Sequence, residues 1–158
     1  MRKRLLAFWL LVGCSAASAL TGAQRRELLD AIRPEATRQA GQPVRFSIDR
    51  LNHSGDWALI VGTVLAQEGK VMDWDKAEDC NPSLDKMLWV VARKSPAGWR
   101  VEEMNICAAE PPYWDFVDHP AAPFSRPCGL YAGLATAAQT TAEQECKAYR
   151  KRQSRASR

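Results

Sequence analysis

The chain has 158 residues, of which 46% are hydrophobic and 25% charged, and its net charge is +4 at neutral pH. This composition excludes collagen-like and low-complexity chains and fits one globular domain. Charge is segregated along the chain. Three basic residues lie in 2–4 and six, without any acidic residue, in 147–158, which leaves 13 basic against 18 acidic residues in between.

The N-terminus has the three parts of a secretory signal peptide. Residues 1–4 are basic, and residues 5–12 form an apolar run of eight, too short to span a bilayer, before a stretch of small residues. Small residues at the positions that signal peptidase reads allow cleavage after Ala19 or after Ala23, and residues 1–23 are taken as the signal peptide. The sequence therefore predicts export, with the bacterial periplasm as the destination.

Residues 11–14 indicate a second way of processing. They read Leu-Val-Gly-Cys and resemble the lipobox of bacterial lipoproteins, in which the cysteine is acylated and becomes the first mature residue. Cys14 is therefore a candidate lipidation site. Under this alternative the protein is anchored to the envelope.

Residues 21–40 predict a helix. Thr21 and Gln24 can form a capping box, and Gly41 is a stop signal. Pro34 predicts a kink or a break into two short helices. The apolar residues at helical spacing are Leu28, Leu29, Ile32, Ala36 and Ala40.

Four runs between residues 44 and 106 predict an antiparallel meander. Residues 44–51 alternate between apolar and polar side chains, and residues 57–65 are apolar on both faces and therefore central. Residues 87–93 and 99–106 are joined by a Ser-Pro-Ala-Gly turn. The predicted fold class is α+β, a kinked N-terminal helix on a curved sheet of about four strands, followed by a C-terminal helix and a basic tail.

A helix followed by a meander whose strands start as Gly-Asp-Trp-Ala and Gly-Trp-Arg-Val resembles the cystatin-like and NTF2-like α+β folds over residues 28–106. The chain also resembles small uncharacterised secreted proteins of proteobacteria, in which a Leu-Leu-Asp-Ala helix leads into a Gly-Gln-Pro-Val strand. The NTF2-like resemblance implies a small-molecule-binding protein or enzyme with a cavity between helix and sheet. Its pocket candidates are Trp57, Trp99 and Glu103, with Glu103 on the Trp99 face as a base.

Four cysteines remain after Cys14, an even number that predicts disulfides in an oxidising compartment. Cys80 precedes and Cys107 follows the second predicted hairpin, so both are expected at its open end. Of the three connectivities, this favours Cys80 with Cys107 and leaves Cys128 with Cys146.

Residues 71–85 predict a long loop that carries five acidic residues. Asp73 and Asp75 invite a calcium interpretation, but Ala77 stands at the third ligand position and the glycine of an EF-hand loop is missing. With two histidines and no Cys-x-x-Cys spacing, zinc is not indicated either. The sequence predicts no metal site and no cofactor.

Prolines between residues 108 and 128 exclude a helix or a central strand there. The segment carries the candidate binding surface, which consists of Tyr113, Trp114, Phe116 and His119. The competing interpretation is that these rings cover the sheet.

Residues 134–149 are rich in alanine and glutamine and predict a helix that Cys146 ties back. The expected boundaries are a globular domain over residues 24–128, then a C-terminal helix and a disordered basic tail over residues 129–158. We expect the tail to contact an anionic membrane surface or the acidic body of the protein, and not nucleic acid.

Sequence patterns of serine hydrolases, zinc proteases and phosphate-binding loops do not occur, so the sequence names no catalytic residue. The leading hypothesis is an exported, non-catalytic protein that binds another protein or an envelope component through the loop over residues 110–119 and the acidic loop over residues 71–85, for example as an inhibitor or immunity-type factor. The alternatives are an NTF2-like small-molecule binder or enzyme, and a structural lipoprotein. The first predicts a filled core and exposed loop aromatics, and the second a cavity lined by Trp57, Trp99 and Glu103.

Overall fold

A computed structural model of the chain describes residues 19–67 and 70–157. The candidate lipidation site Cys14 and most of the predicted signal peptide lie outside the described residues. The elements are α1 (Gly22–Ala40), β1 (Val44–Ser54), β2 (Trp57–Ala66), β3 (Met87–Ser95), β4 (Gly98–Ala108), the short α2 (Ala121–Phe124) and α3 (Ala142–Ala156). The strands form an open antiparallel sheet in the order β1-β2-β3-β4. The predicted α+β class, with a helix on a four-stranded meander and a C-terminal helix, is confirmed.

Helix α1 has the predicted ends but not the predicted break. Thr21 and Gln24 form the capping box, and Gly41 ends the helix in the left-handed conformation at φ 62°. The helix continues through Pro34. Its inner stripe is fully buried against the sheet, and this packing outweighs the one backbone hydrogen bond that a proline removes. The buried members of the stripe are Leu28, Ile32, Ala36 and Ala40.

The sheet is buried on both faces, and each face has its own core. The first core lies between the sheet and α1, and the second lies between the sheet and the segment that follows β4. Strand β2 contributes to both, since Ile60 belongs to the first core and Leu59 to the second. This explains why residues 57–65 are apolar on both faces. The second core consists of Leu59, Trp89, Val91, Phe116, Phe124, Cys128, Leu130, Tyr131, Leu134, Ala142 and Cys146.

Both edge strands contain a β-bulge. The register shifts between Ile48 and Arg50 in β1, and β4 carries one extra residue between Val101 and Glu103. Bulges at sheet edges interrupt the ladder and oppose pairing with further strands. The bulge in β4 also turns the side chain of Glu103 away from the first core and onto the opposite face of the sheet.

Helix α3 begins later and continues further than the sequence predicts. Thr141 is its N-cap and forms a capping box with Gln144, so the helix starts at Ala142 and not at residue 134. The preceding loop is held by Thr136 and Thr140, whose hydroxyls both bond the carboxylate of Glu145. The basic segment predicted to be disordered is helical to Ala156, because it lacks helix breakers and cations are favourable at a helix C-terminus.

Two disulfides are present with the favoured pairing. Cys80 and Cys107 join the loop over residues 71–85, called the acidic loop, to the end of β4, with their Cα atoms 5.8 Å apart. Cys128 and Cys146 join the segment after α2 to α3, with their Cα atoms 5.5 Å apart. Disulfides of this kind form and persist in oxidising compartments, which fits an exported protein. Of the helices in the described part of the chain, none combines the length and hydropathy needed to cross a bilayer.

Candidate functional site

The four residues of the predicted binding surface divide into buried and exposed members. Phe116 is buried in the second core, and Tyr113 is half-buried with its ring 5.9 Å from that of Trp89. Trp114 is exposed, with 43% of its surface accessible, and His119 is also exposed. Val117, which the sequence did not single out, is 54% exposed. Covering the sheet is therefore the role of Phe116 and largely of Tyr113, whereas Trp114 and His119 face solvent.

The loop over residues 110–119, here called the platform loop, is held by its own turns and by Phe116. A short 3₁₀ turn spans Pro112–Trp114, and the carbonyl of Asp115 accepts the backbone N–H groups of Asp118 and His119. The ring of Phe116 lies edge-on to Trp89, Phe124 and Tyr131, at centroid distances of 5.2–6.0 Å. Because Phe116 is anchored, the exposed side chains beside it are presented from a fixed backbone.

A surface hollow of about 270 Å³ opens between the platform loop and β4. Its polar rim consists of Glu103, Asp115, His119 and Arg126, and its apolar lining of Pro112, Phe116, Ala122 and Pro123. His119 from the predicted binding surface and Glu103 from the predicted pocket thus line the same hollow. The structure brings together one residue from each of the two competing hypotheses.

Glu103 is held by two hydrogen bonds within the protein. Its Oε1 accepts the indole N–H of Trp89 at 2.7 Å, and its Oε2 accepts Nη1 of Arg126 at 2.8 Å. The Arg126 guanidinium also lies over the Trp57 ring, 5.6 Å from its centroid, and the guanidinium of Arg93 lies 5.1 Å from the same ring. Cation–π stacking and the ion pair together fix the wall of the hollow. With both oxygens engaged, Glu103 positions the Arg126 guanidinium at the rim of the hollow.

The three pocket candidates do not line one cavity. Trp57 and Glu103 lie on the second-core face, whereas Trp99 packs into the first core. The expectation that Glu103 shares a face with Trp99 is wrong, because the bulge in β4 adds one residue between them. Trp99 is 9% exposed and lies near His53, with their ring centroids 6.2 Å apart. His53 belongs to β1.

Ion pairs hold the acidic loop against α1 and neutralise part of its negative charge. Arg38 of α1 forms ion pairs with Glu35 at 2.6 Å and with Glu78 of the loop at 2.7 Å, and Lys76 pairs with Asp73 at 3.0 Å. The chain also approaches α1 closely here, since a Cβ at Gly41 would overlap the carbonyl oxygen of Lys76. These contacts make the loop a covering of the helix end. Among the described residues no His, Cys, Asp and Glu side chains cluster as a metal site would require.

Hydrogen bonds from Arg38 and then from Gln39 lower the pKa of Glu35 to about 2. Because this pKa lies below the ordinary value of 4.5, the ion pair stabilises the folded state above pH 4.5 and loses its effect as the pH falls through about 2. We expect Glu35→Gln to lower the free energy of unfolding at pH 6 by no more than about 1 kcal/mol, since the pair is exposed. Urea unfolding between pH 6 and pH 2 measures the difference, which should vanish near pH 2.

Arg26→Gln is a suitable control, because Arg26 lies exposed on the same helix and the ion pairs of the described residues do not include it. Its effect on stability should stay constant over this pH range. A Glu35→Gln difference that persists undiminished at pH 2 would contradict the assignment of this ion pair.

Sequence reasoning missed Arg126 and Trp89, which support the hollow. Arg126 lies between α2 and Pro127. The prolines of this segment predict a loop, but they do not indicate which way its side chains point. Trp89 was expected only as part of the predicted strand over residues 87–93. The contact of both with Glu103 depends on the bulge in β4, which no glycine marks.

No protein-family model, curated protein or solved structure matches this chain.

Proposed function

We propose that this chain is an exported, non-catalytic protein of the bacterial periplasm that binds a partner protein through the platform loop. The proposal rests on one observation: a buried ring anchors the platform loop, and its neighbours in the loop are exposed. Phe116 is buried in the second core, while Trp114 and Val117 beside it are 43% and 54% exposed. An exposed tryptophan on a fixed backbone is the kind of residue that dominates binding at protein interfaces.

The negative charge of the platform loop favours a partner with a basic surface. The platform loop contains Glu110, Asp115 and Asp118 and neither lysine nor arginine. In the adjoining hollow, the one arginine of the rim is already paired with Glu103. We infer that the partner surface is apolar where it meets Trp114 and basic around that point, because complementary charges steer association and fix orientation. An inhibitor or immunity-type factor is a role of this class.

The capped start of α1 bears on how the chain is processed. Leu20 packs against the first core, and Thr21 caps the helix together with Gln24. Cleavage after Ala23 would remove both groups, whereas cleavage after Ala19 would keep them. We therefore propose a mature protein that begins at Leu20 as a periplasmic form, with acylation at Cys14 as the lipid-anchored alternative. The intact mass of the protein isolated from the envelope distinguishes Leu20, Gln24 and an acylated Cys14.

For a small-molecule function, the candidate site is the hollow. The observation in its favour is that Glu103 and His119 line it together. Against catalysis by Glu103 stands its pair of internal hydrogen bonds. We therefore place the small-molecule alternative, whether binder or enzyme, second to protein binding.

The test is a photo-reactive amino acid introduced at Val117 in cells that export the protein. Leu84 provides the matched control, because it is also apolar and 52% exposed but lies on the acidic loop. We expect one protein to be cross-linked from position 117 and not from position 84. The purified pair should then lose about tenfold or more in affinity with Trp114→Ala, as removal of a central aromatic usually costs.

Two results would overturn the proposal. One is equal cross-linking from positions 117 and 84, which would indicate non-specific proximity. The other is an unchanged affinity of the purified pair when Trp114→Ala leaves the thermal unfolding of the protein unaltered. Because Trp114 is exposed, the variant is expected to fold normally.

A further inference from the structure

The outer face of α3 carries a ridge of basic side chains. Lys147, Lys151 and Arg155 follow one another at four-residue intervals, so they lie above one another along the helix, with Arg152 beside them. On the opposite side of the helix, Cys146 is buried in the second core and Tyr149 packs against it. The side chains Lys147, Lys151, Arg152 and Arg155, here called the basic ridge, are all exposed.

Most of the ridge charge is not neutralised within the protein. Lys147 pairs with Glu143 at 2.6 Å, and the neighbouring Arg150 donates to the backbone carbonyls of Phe124, Ser125 and Arg126. The ion pairs formed by the described residues include none of Lys151, Arg152 and Arg155. The sequence has no acidic residue after Glu145. Three positive charges therefore point outward from the last turns of the helix.

Within the part of the chain that the structure describes, these last turns have no packing partner of their own. Residues 151–157 are exposed, whereas the preceding part of α3 is held by the Cys128–Cys146 disulfide and by Arg150. Like charges four residues apart repel and weaken a helix, although cations at its C-terminus interact favourably with the helix dipole. A surface that supplies negative charge would remove this repulsion and stabilise the exposed turns.

We propose that the basic ridge docks on the anionic surface of a lipid bilayer. The ridge offers charge without an apolar stripe, since its exposed hydrophobic neighbours on α3 are the small side chains Ala148 and Ala156. Such a helix lies on headgroups and does not insert into the acyl region. Stacking of nucleic-acid bases would require aromatic side chains, which the ridge lacks. The ridge is separate from Trp114 and Val117, so this inference does not depend on the partner protein proposed above.

The experiment is flotation of the exported protein, purified from cells, with lipid vesicles. Vesicles of phosphatidylethanolamine with about one third phosphatidylglycerol are compared with vesicles of phosphatidylcholine, and any binding to the neutral vesicles is subtracted. One basic residue near an anionic surface strengthens binding roughly fivefold. We expect K151Q/R152Q/R155Q to bind anionic vesicles on the order of 100-fold more weakly, and binding of the unaltered protein to disappear at high salt.

The control variant R25Q/R26Q/K70Q removes the same number of charges from exposed positions elsewhere. It should retain most of the binding, and both variants should keep the thermal unfolding of the parent protein. The proposal is overturned if the unaltered protein ignores anionic vesicles, if the ridge variant binds as well as the parent, or if both variants lose binding equally. It is also overturned if a soluble polyanion such as heparin binds the ridge while anionic vesicles do not.

Discussion

Replacement of Trp89 by alanine is expected to lower the free energy of unfolding by about 3–5 kcal/mol, the range for truncating a large buried aromatic side chain. Trp89 is fully buried at the centre of the second core, with its ring 6.0 Å from Phe116 and 5.9 Å from Tyr113. The substitution would leave a cavity and would also remove a hydrogen-bond donor from Glu103. Urea unfolding at neutral pH measures the loss.

Two further variants separate the causes. Trp89→Phe keeps an aromatic ring in the core and removes the indole donor, so we expect a smaller loss of about 1–3 kcal/mol. Trp114→Ala removes the same kind of side chain from a position that is 43% exposed. It should change the free energy of unfolding by about 0.5 kcal/mol or less. Equal losses for Trp89→Ala and Trp114→Ala would contradict the placement of Trp89 at the centre of this core.

The same substitution links the core to the candidate site. Phe116 is the anchor of the platform loop, and Trp89 forms part of the surface on which it rests. With Trp89→Ala, the amides of Asp118 and His119 should therefore exchange with solvent faster than in the parent protein. Faster exchange at these two amides would show that the exposed side chains of the platform loop are held in place by the second core.

The first core and its sheet were predictable because their signals are local. Alternation in β1, a run apolar on both faces in β2 and the Ser95–Gly98 turn each specify structure within a few residues. The capping box at Thr21 likewise lies within four residues. Predictions from such short-range patterns agree with the structure, except for the break at Pro34, which the packing of α1 on the sheet outweighs.

The face of Glu103 was not predictable in the same way. Alternation assumes an uninterrupted strand, and the bulge between Val101 and Glu103 reverses every assignment that depends on counting through it. The start of α3, in contrast, has a local signal of the same kind as α1, the capping box of Thr141 with Gln144, which a prediction from the alanine-rich composition overlooked. The hollow depends on this bulge and on the path of the segment after β4, so the sequence could suggest single residues of the site but not the site itself.

Reduction of both disulfides is expected to lower the free energy of unfolding by about 6–7 kcal/mol. The Cys80–Cys107 bond closes a loop with a sequence separation of 27 and the Cys128–Cys146 bond one of 18, for which chain entropy gives about 3.5 and about 3 kcal/mol. Domains of this size have a total stability of about 5–15 kcal/mol. The reduced protein should therefore be marginal or unfolded, which urea titration with and without reductant would measure.

The two bonds are not expected to rank as their loop lengths suggest. Chain entropy makes the Cys80–Cys107 bond slightly the more stabilising, but its sulfurs lie at a partly exposed edge of the first core. Cys128 and Cys146 are 8% and 0% exposed within the second core, so replacing both with serine also buries two hydroxyls and releases α3. We expect C128S/C146S to destabilise the protein more than C80S/C107S, by about 1 kcal/mol or more. The reverse order would mean that α3 is held mainly by Arg150 and its three backbone acceptors, and not by the disulfide.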